Sequence, residues 1–302
     1  MITTRMVGSM APGFSARRTC FAAFLFCLAG LMPAARASDG RELRFQVAPG
    51  INAHAELMED ESLVIETHRD DGRQVIVPLP ESESRYRLMH ADYNFDGFQD
   101  LAASAPTGQV NEVYSVYLYD PESGQFRPLV APVAQGINCD GLWSLTADPA
   151  SRTLSSTCRS GPMWYTDIYR YSGPSLYLFR TMRTVSFDSR SLEAELSLDD
   201  VDSLGVPVVW STYDPAGRVL ETAMADGLES PSSNHPLRGY PASVLSSRLA
   251  LYAKAGDTTT RRYLVKGDNV ELLDALDHWV RVSYQNPSRG VVQGWVKLPE
   301  PE

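Results

Sequence analysis

The stretch from Glu112 to Phe126 reads Glu112-Val113-Tyr114-Ser115-Val116-Tyr117-Leu118-Tyr119-Asp120-Pro121-Glu122-Ser123-Gly124-Gln125-Phe126. Its first half is a run of β-branched and aromatic residues, the chemistry of a strand. The second half opens with Asp-Pro and closes on Gly, where proline presets one backbone dihedral and glycine accepts a positive one, so the chain turns back on itself. The same pairing of run and turn recurs along the sequence. Runs stand at Glu61 to Glu66, Gln74 to Leu79, Leu142 to Thr146, Thr153 to Cys158, Trp164 to Tyr171 and Leu176 to Val185, with turns at Asp148-Pro149-Ala150-Ser151, Ser172-Gly173-Pro174 and Asp214-Pro215-Ala216-Gly217. Short strands at regular spacing argue for an all-β fold: a sandwich, a barrel or a small propeller. Helical periodicity is lacking, with Ser191 to Leu198 ambiguous, and no strict internal repeat is visible.

The chain has 302 residues, 43% hydrophobic and 21% charged, the composition of a globular protein. That length suggests two domains. The formal charge of −10 disfavours a nucleic-acid partner held by counterion release. The N-terminus carries Arg5, Arg17 and Arg18 without an acid, then the apolar run Phe21 to Met32 and the small-residue site Ala35-Arg36-Ala37. This is the pattern of a secretory signal over residues 1–37, with an apolar run too short to be a transmembrane helix. The segment holds four arginines and no acid, so its removal would take the charge from −10 to −14. Cys20 and Cys27 would leave with it. Cys139 and Cys158 would remain in a compartment where disulfides form, and no later stretch is apolar enough to span a bilayer, so a periplasmic location is expected.

Residues 38–224 are expected to form the larger β domain. The stretch 225–246, with Gly227, Pro231, Ser232, Ser233, Pro236, Gly239 and Pro241, lacks strand alternation and reads as a linker. A second, smaller domain is expected over 247–302. There, Tyr263-Leu264-Val265-Lys266-Gly267-Asp268, Trp279-Val280-Arg281-Val282 and Gly294-Trp295-Val296-Lys297 have the spacing of a small barrel, with a turn at Gly267-Asp268 and the two tryptophans on neighbouring strands. This segment resembles a bacterial SH3 domain, a module linked to cell-wall peptides or protein ligands.

Asp92-Tyr93-Asn94-Phe95-Asp96-Gly97-Phe98-Gln99-Asp100 places side-chain oxygens at positions one, three, five and nine, with glycine at six. Alternate residues can turn oxygens onto a Ca²⁺ ion, Gly97 permits the sharp turn, and the Phe98 carbonyl can fill position seven. Position twelve is Ala103, where an EF-hand has a bidentate glutamate, and the flanks Tyr86 to Met89 and Leu101 to Ser104 look like strands rather than helices. The motif therefore reads as a calcium hairpin with a structural role, against the alternative of an Asx-rich turn without metal.

Cys139 and Cys158 flank two expected strands whose turn lies near Pro149 and Ala150. Residues equidistant from the turn of an antiparallel pair face each other, so a bridge is expected, with two free thiols as the alternative. Arg159-Ser160-Gly161-Pro162-Met163-Trp164-Tyr165-Thr166-Asp167-Ile168-Tyr169 follows. A small hydroxyl, a turn and several large aromatics beside a disulfide suit a rigid loop that enters a partner's cleft; a hairpin corner whose aromatics belong to the core is the competing reading.

The order of signal segment, Asp-x-Asn-Phe-Asp-Gly-x-x-Asp-Leu at Asp92 to Leu101, Tyr-Leu-Tyr-Asp-Pro-x-Ser-Gly-x-Phe at Tyr117 to Phe126, and Ser160-Gly161 to Tyr169 resembles the periplasmic immunity proteins of bacteria that kill through a type IV secretion system, relatives of periplasmic lysozyme inhibitors. The resemblance covers about Leu43 to Val185. It implies a propeller-like antiparallel β domain, calcium held by Asp92, Asn94, Asp96, Phe98 and Asp100, and blockade of a peptidoglycan hydrolase effector by Ser160, Gly161 and either Tyr165 or Tyr169. Pro162 and the longer spacing from Ser160 to Tyr165 depart from the lysozyme-inhibitor pattern and leave the inserting tyrosine open.

A muramidase cleft carries two carboxyl groups, with which hydroxyl groups can pair. An acidic chain is also suited to encounter with a cationic hydrolase, although acidity serves solubility equally well. The alternative function is a noncatalytic envelope protein whose SH3-like module recognises peptidoglycan. Catalysis has little support: there is no Gly-x-Ser-x-Gly, no His-Glu-x-x-His, no phosphate loop and no Cys-x-x-Cys. The histidines His54, His68, His90, His235 and His278 are dispersed, and the acid pairs Asp70-Asp71 and Asp199-Asp200 read as solvated turns.

Overall fold

A computed structural model describes residues 40–67, 72–76, 79, 82, 84–198, 205–232 and 235–300. The expected export segment, His68 and the pairs Asp70-Asp71 and Asp199-Asp200 lie outside the described residues. The architecture is all-β, built from antiparallel sheets that follow one another along the chain.

The first sheet is a four-stranded meander of β1 (Glu42–Ala48), β2 (Ile51–Leu57), β3 (Leu63–Thr67) and β4 (Gly72–Ile76). The second repeats that plan with β5 (Arg87–Ala91), β6 (Asp100–Thr107), β7 (Asn111–Asp120) and β8 (Gln125–Pro128). A third begins with β9 (Thr146–Asp148), β10 (Thr153–Ser160), β11 (Met163–Ser172) and β12 (Ser175–Thr184). The chain then makes helix α1 (Ser189–Glu195) and the short strand β13 (Leu196–Leu198), and returns with β14 (Pro207–Tyr213) and β15 (Val219–Asp226) to widen the third sheet to six strands. Asp188 caps α1 by accepting from the Ser191 N–H at 2.7 Å. The ambiguous stretch Ser191 to Leu198 is thus helix followed by strand.

The turns form where the sequence places them. At Asp120 to Gly124, the Gly124 N–H donates to the Asp120 carbonyl (2.8 Å) and the Asp120 side chain accepts from the Glu122 N–H (2.9 Å). Leu142 to Thr146 differs from expectation: Trp143 makes an isolated bridge to Val113 of β7 and the strand begins only at Thr146.

Packing follows from alternation. Along β6, Leu101, Ala103 and Ala105 face a core shared with the first sheet, while Ala102 joins Val116 of β7 in a core shared with the third. Small side chains on a strand buried on both faces let the two sheets close on it. The third sheet also has two buried faces: Leu154, Tyr169 and Leu178 look toward the second sheet, and Ile168, Phe179, Met182, Val208 and Trp210 look away from it. The successive four-stranded meanders give the domain its propeller-like character.

The C-terminal sheet contains β13, β16 (Tyr240–Val244), β19 (Asn269–Leu276), β20 (Trp279–Asn286) and β21 (Gly290–Lys297), with β17 (Leu249–Ala250) and β18 (Tyr263–Leu264) forming a two-stranded ribbon beside it. Gly267 has φ +88° in the turn before β19. Trp279 and Trp295 lie on the neighbouring strands β20 and β21.

The expected linker is corrected. Within 225–246, β16 pairs with both β13 and β19, and the Pro-rich part lies against the third sheet: Leu237 packs on its outer core, and buried Arg180 donates to the Pro231 carbonyl at 3.1 Å. Proline there removes ladder donors and glycine removes side chains from the strand alternation, without removing the packing of the segment, which is why the composition reads as a linker. Val185, Val209 and Met224 share one core with Leu272, Val282 and Val296, and residues 38–302 form one compact unit. Arg183 of β12 is ion-paired with Asp274 of β19 and donates to the Ala275 carbonyl at 3.3 Å.

A shared core predicts that urea unfolds residues 38–302 in one transition, without prior loss of 247–302. Asp274→Ala, which leaves the half-buried Arg183 unpaired, is expected to lower stability by about 1–3 kcal/mol. Urea unfolding followed by tryptophan fluorescence and circular dichroism measures both; two separated transitions would contradict the shared core.

Candidate functional site

The acidic hairpin joins β5 to β6. Its alternate residues divide as the motif requires: Tyr93 and Phe95 are buried in the core between the second and third sheets, while Asp92, Asn94 and Asp96 remain on the outer side. Phe95 and Gly97 have φ +59° and +94°, the positive dihedrals that coil the loop. Asp92 accepts from the N–H groups of Asp96 (3.1 Å) and Gly97 (2.9 Å), Asn94 Oδ1 accepts from the same Asp96 N–H (3.1 Å), and Asp96 accepts from Phe98 (2.8 Å). Phe98 turns the other way, into the core shared with the first sheet, its ring 5.6 Å from that of Tyr119. The loop is therefore anchored by aromatics in two cores.

Asp100 closes it. Its carboxylate is fully buried and accepts from the N–H groups of Tyr93 and Tyr119, both at 2.8 Å. Burial pushes its pKa up to about 7 despite those two donors, and the like charges of Asp96 and Asp92 push the same way. Carboxylate and amide oxygens with repulsion between them are a donor set suited to a hard divalent cation. Their oxygens are occupied with backbone N–H groups, and among the described residues no three Asp, Glu, His or Cys side chains converge as a metal cluster.

The segment after Cys158 is a hairpin rather than an open loop. Ser160 of β10 pairs with Met163 of β11, so Gly161 and Pro162 alone make the turn. Gly161 has φ +58° at the first central position, the requirement of a type II′ turn, whose twist matches the strands. Facing residues of an antiparallel pair share a side of the sheet. One side of the tip accordingly carries Ser160, Met163, Cys158 and Tyr165, and the other carries Arg159 and Trp164. Ser160, Gly161 and Pro162 are exposed, while Met163, Trp164 and Tyr165 are half-buried.

Four groups hold this tip. The Cys139–Cys158 disulfide is present, with a Cα–Cα distance of 5.8 Å. Cys139 is positioned by Asp167, a fully buried carboxylate that accepts from the N–H groups of Cys139 (2.8 Å) and Asn138 (3.0 Å). Burial pushes the Asp167 pKa up, against those donors. Asn111 reaches over from β7: its Oδ1 accepts from the Arg159 N–H (2.9 Å) and its Nδ2 donates to the Arg159 carbonyl (3.1 Å). At the base, Thr184 of β12 accepts from the Trp164 N–H at 3.1 Å. Asp167, Asn111, Arg159 and Thr184 were absent from the sequence-based set. Their roles arise from partners as distant as 48 positions along the chain, which no local pattern signals.

Tyr169 is corrected. It lies on the same side as Tyr165 but four residues deeper along β11, fully buried with Leu154 and Leu178, and its hydroxyl has no partner. A tyrosine enclosed in its own core cannot enter another protein's cleft, so Tyr165 is the tyrosine at the tip. The acidic hairpin and the tip belong to different sheets and serve as separate features.

Residues 84–119 match the FG-GAP repeat, a span that takes in β5, the acidic hairpin, β6 and most of β7 and is consistent with the propeller-like arrangement. A solved structure, described as a Xanthomonas type IV secretion system related protein, is similar at 15% identity and a TM-score of 0.37, covering 61% of this chain and 94% of its own. No curated protein matches the sequence.

The fastening predicts two separable effects. Replacing Cys139 and Cys158 together by serine is expected to cost about 3 kcal/mol through the unfolded state, read by urea unfolding. Asn111→Ala is expected to leave global stability within about 1 kcal/mol while speeding amide hydrogen exchange at 159–164, because it frees only the tip.

Proposed function

We propose that this chain is a periplasmic immunity or inhibitor protein that binds a peptidoglycan-cleaving, lysozyme-like effector and blocks its cleft sterically, without catalysis of its own. The observation that carries this reading is the β10–β11 tip: a narrow, exposed hairpin end bearing Ser160, Gly161 and Tyr165, held by a disulfide, by a buried carboxylate and by Asn111 from the adjacent sheet. Immobilising the tip in advance removes much of the ordering cost that weakens flexible inhibitory loops. The aromatic and small residues at its end suit a cleft built for a glycan strand. The acidity of the chain suits encounter with a cationic enzyme. Export through the N-terminal segment would place the protein where such an effector acts and where the disulfide forms.

Calcium has a structural part in this proposal. The oxygens of Asp92, Asn94, Asp96 and Asp100 and the Phe98 carbonyl would hold it, and its charge would offset the repulsion among the carboxylates. Ca²⁺ added to chelator-treated protein is expected to raise Tm, and Asp92→Ala to abolish the rise; differential scanning calorimetry with and without Ca²⁺ measures this.

A second reading rests on the C-terminal sheet, proposed as an SH3-like module. In the β17–β18 ribbon beside that sheet, Tyr263 is half exposed with the Arg248 guanidinium 4.2 Å from its ring centre, a surface able to take a wall peptide.

Peptidoglycan hydrolysis by a panel of wall hydrolases separates the two readings. The inhibitor reading expects one-to-one inhibition, weakened about 10- to 100-fold by Tyr165→Ala, as for a central interface aromatic. Tyr169→Phe is expected to leave inhibition intact, since it removes only an unpartnered buried hydroxyl. Absence of inhibition together with retention on purified sacculi would select the wall-binding module.

A further inference from the structure

Arg159 stands at the exposed end of β10, one residue before the turn. Every part of it except the end of its guanidinium is already held. Asn111 bonds its N–H and its carbonyl, its Nε donates to the Gly161 carbonyl at 2.9 Å, and its guanidinium carbon lies 5.4 Å from the centre of the Trp164 ring. Among the described residues, its two terminal nitrogens have no acceptor. Other arginines of this acid-rich chain contrast with it: Arg87 is paired with Glu112, Arg127 with Asp120, Arg183 with Asp274 and Arg218 with Asp214.

We infer that Arg159 is the specificity-determining anchor of the tip, and that the partner's cleft meets it with a carboxylate. The inference rests on the inhibitor reading and deepens it. With Nε engaged, the outward edge is the pair of terminal nitrogens, which matches the two oxygens of one carboxylate by parallel hydrogen bonds. Bonding to Asn111 and Gly161 and the cation–π contact with Trp164 fix the direction of that edge before binding, so little rotamer entropy remains to be lost. The preferred partner is then an enzyme whose cleft is lined by acid side chains, as in glycoside hydrolases with their pair of catalytic carboxyl groups. A peptidoglycan amidase working through a thiol and an imidazole has no such pair of catalytic carboxyl groups. Charge complementarity runs in the same sense at two scales: the body of the inhibitor is acidic, and the point that enters the anionic cleft is cationic.

The test uses the full mature chain with its disulfide intact and measures Kd and inhibition against glycan-cleaving and peptide-cleaving wall hydrolases. The variants are Arg159→Lys, which keeps the charge and loses the fork, and Arg159→Gln, with hydrogen exchange at 160–166 reporting whether the tip keeps its shape. Binding is expected for glycan-cleaving enzymes alone, weakened at least 100-fold by Arg159→Gln and at least 10-fold by Arg159→Lys, with exchange at the tip unchanged. Substituting a cleft carboxylate of the bound enzyme by its amide is expected to cost little further affinity once Arg159 is glutamine. Tight inhibition of lysozyme-like enzymes that is insensitive to both Arg159 variants would overturn the role of Arg159 and leave the inhibitor reading standing, whereas inhibition directed at amidases alone would overturn both. Binding to no hydrolase at all would overturn both.

Discussion

From Asp100 to Ala105, strand β6 has no face for water: its odd-numbered side chains from Leu101 to Ala105 are enclosed against the first sheet, while Ala102 is enclosed against the third. A strand of small residues buried on both sides forces its sheet to become the middle layer of a stack. The acidic hairpin enters β6 directly, and Asp100 at its first position ties the loop to β7 through the Tyr119 N–H. A change in this layer would move the strand that carries Asn111, and with it the support of the hairpin tip in the next sheet along the chain. The distance between the motif that looks like a metal loop and the surface that looks like a binding tip is thus bridged by one double-buried sheet.

The tip is also joined to the C-terminal sheet. Tyr165 pairs across the ladder with Arg183, and Arg183 is ion-paired with Asp274 of β19. The bulge between Leu272 and Asp274 re-aims that stretch of β19, placing Asp274 against β12. The C-terminal sheet therefore buttresses the base of the hairpin, whatever it binds on its own account. It also takes β13 from upstream of β14, so the chain leaves the six-stranded sheet for the C-terminal one and returns before finishing either. Such an exchange makes the two sheets difficult to separate by truncation.

Local chemistry made much of the fold legible. The runs at Glu112 to Tyr119 and Leu176 to Val185 and the turns at Asp120 to Gly124 and Ser172 to Pro174 carry their conformations in residues adjacent in sequence, and they occur as read. The Cys139–Cys158 bridge is present although hairpin symmetry does not make it: β9 starts only at Thr146, Cys158 faces Tyr165, and Cys139 is brought to the hairpin by Asp167. The interweaving of β13 and β16 was hidden, since proline reports a missing donor and glycine a missing side chain, and neither says what packs over the segment. Tyr165 and Tyr169 are indistinguishable by pattern: both occupy the same side of β11, and only the second sheet, packed over the deeper one, sorts them. Asn111, Asp167 and Arg159 act through partners that the fold alone brings near.

The two-residue turn at Gly161-Pro162 also fixes a length. Beyond Arg159, the last residue bonded to Asn111, each arm adds only two residues before the chain reverses, about 7 Å at the rise of a strand. In the proposed inhibitory role the hairpin would therefore act as a short key with a fixed shank. It can touch the floor of an open, shallow groove, but it cannot follow a substrate channel into a deep tunnel, however well its chemistry would match there. In the proposed inhibitory role, lengthening the turn would gain depth only by surrendering the stiffness that Asn111 and the disulfide confer, so targets would be sorted first by the depth of the cleft and only afterwards by its chemistry.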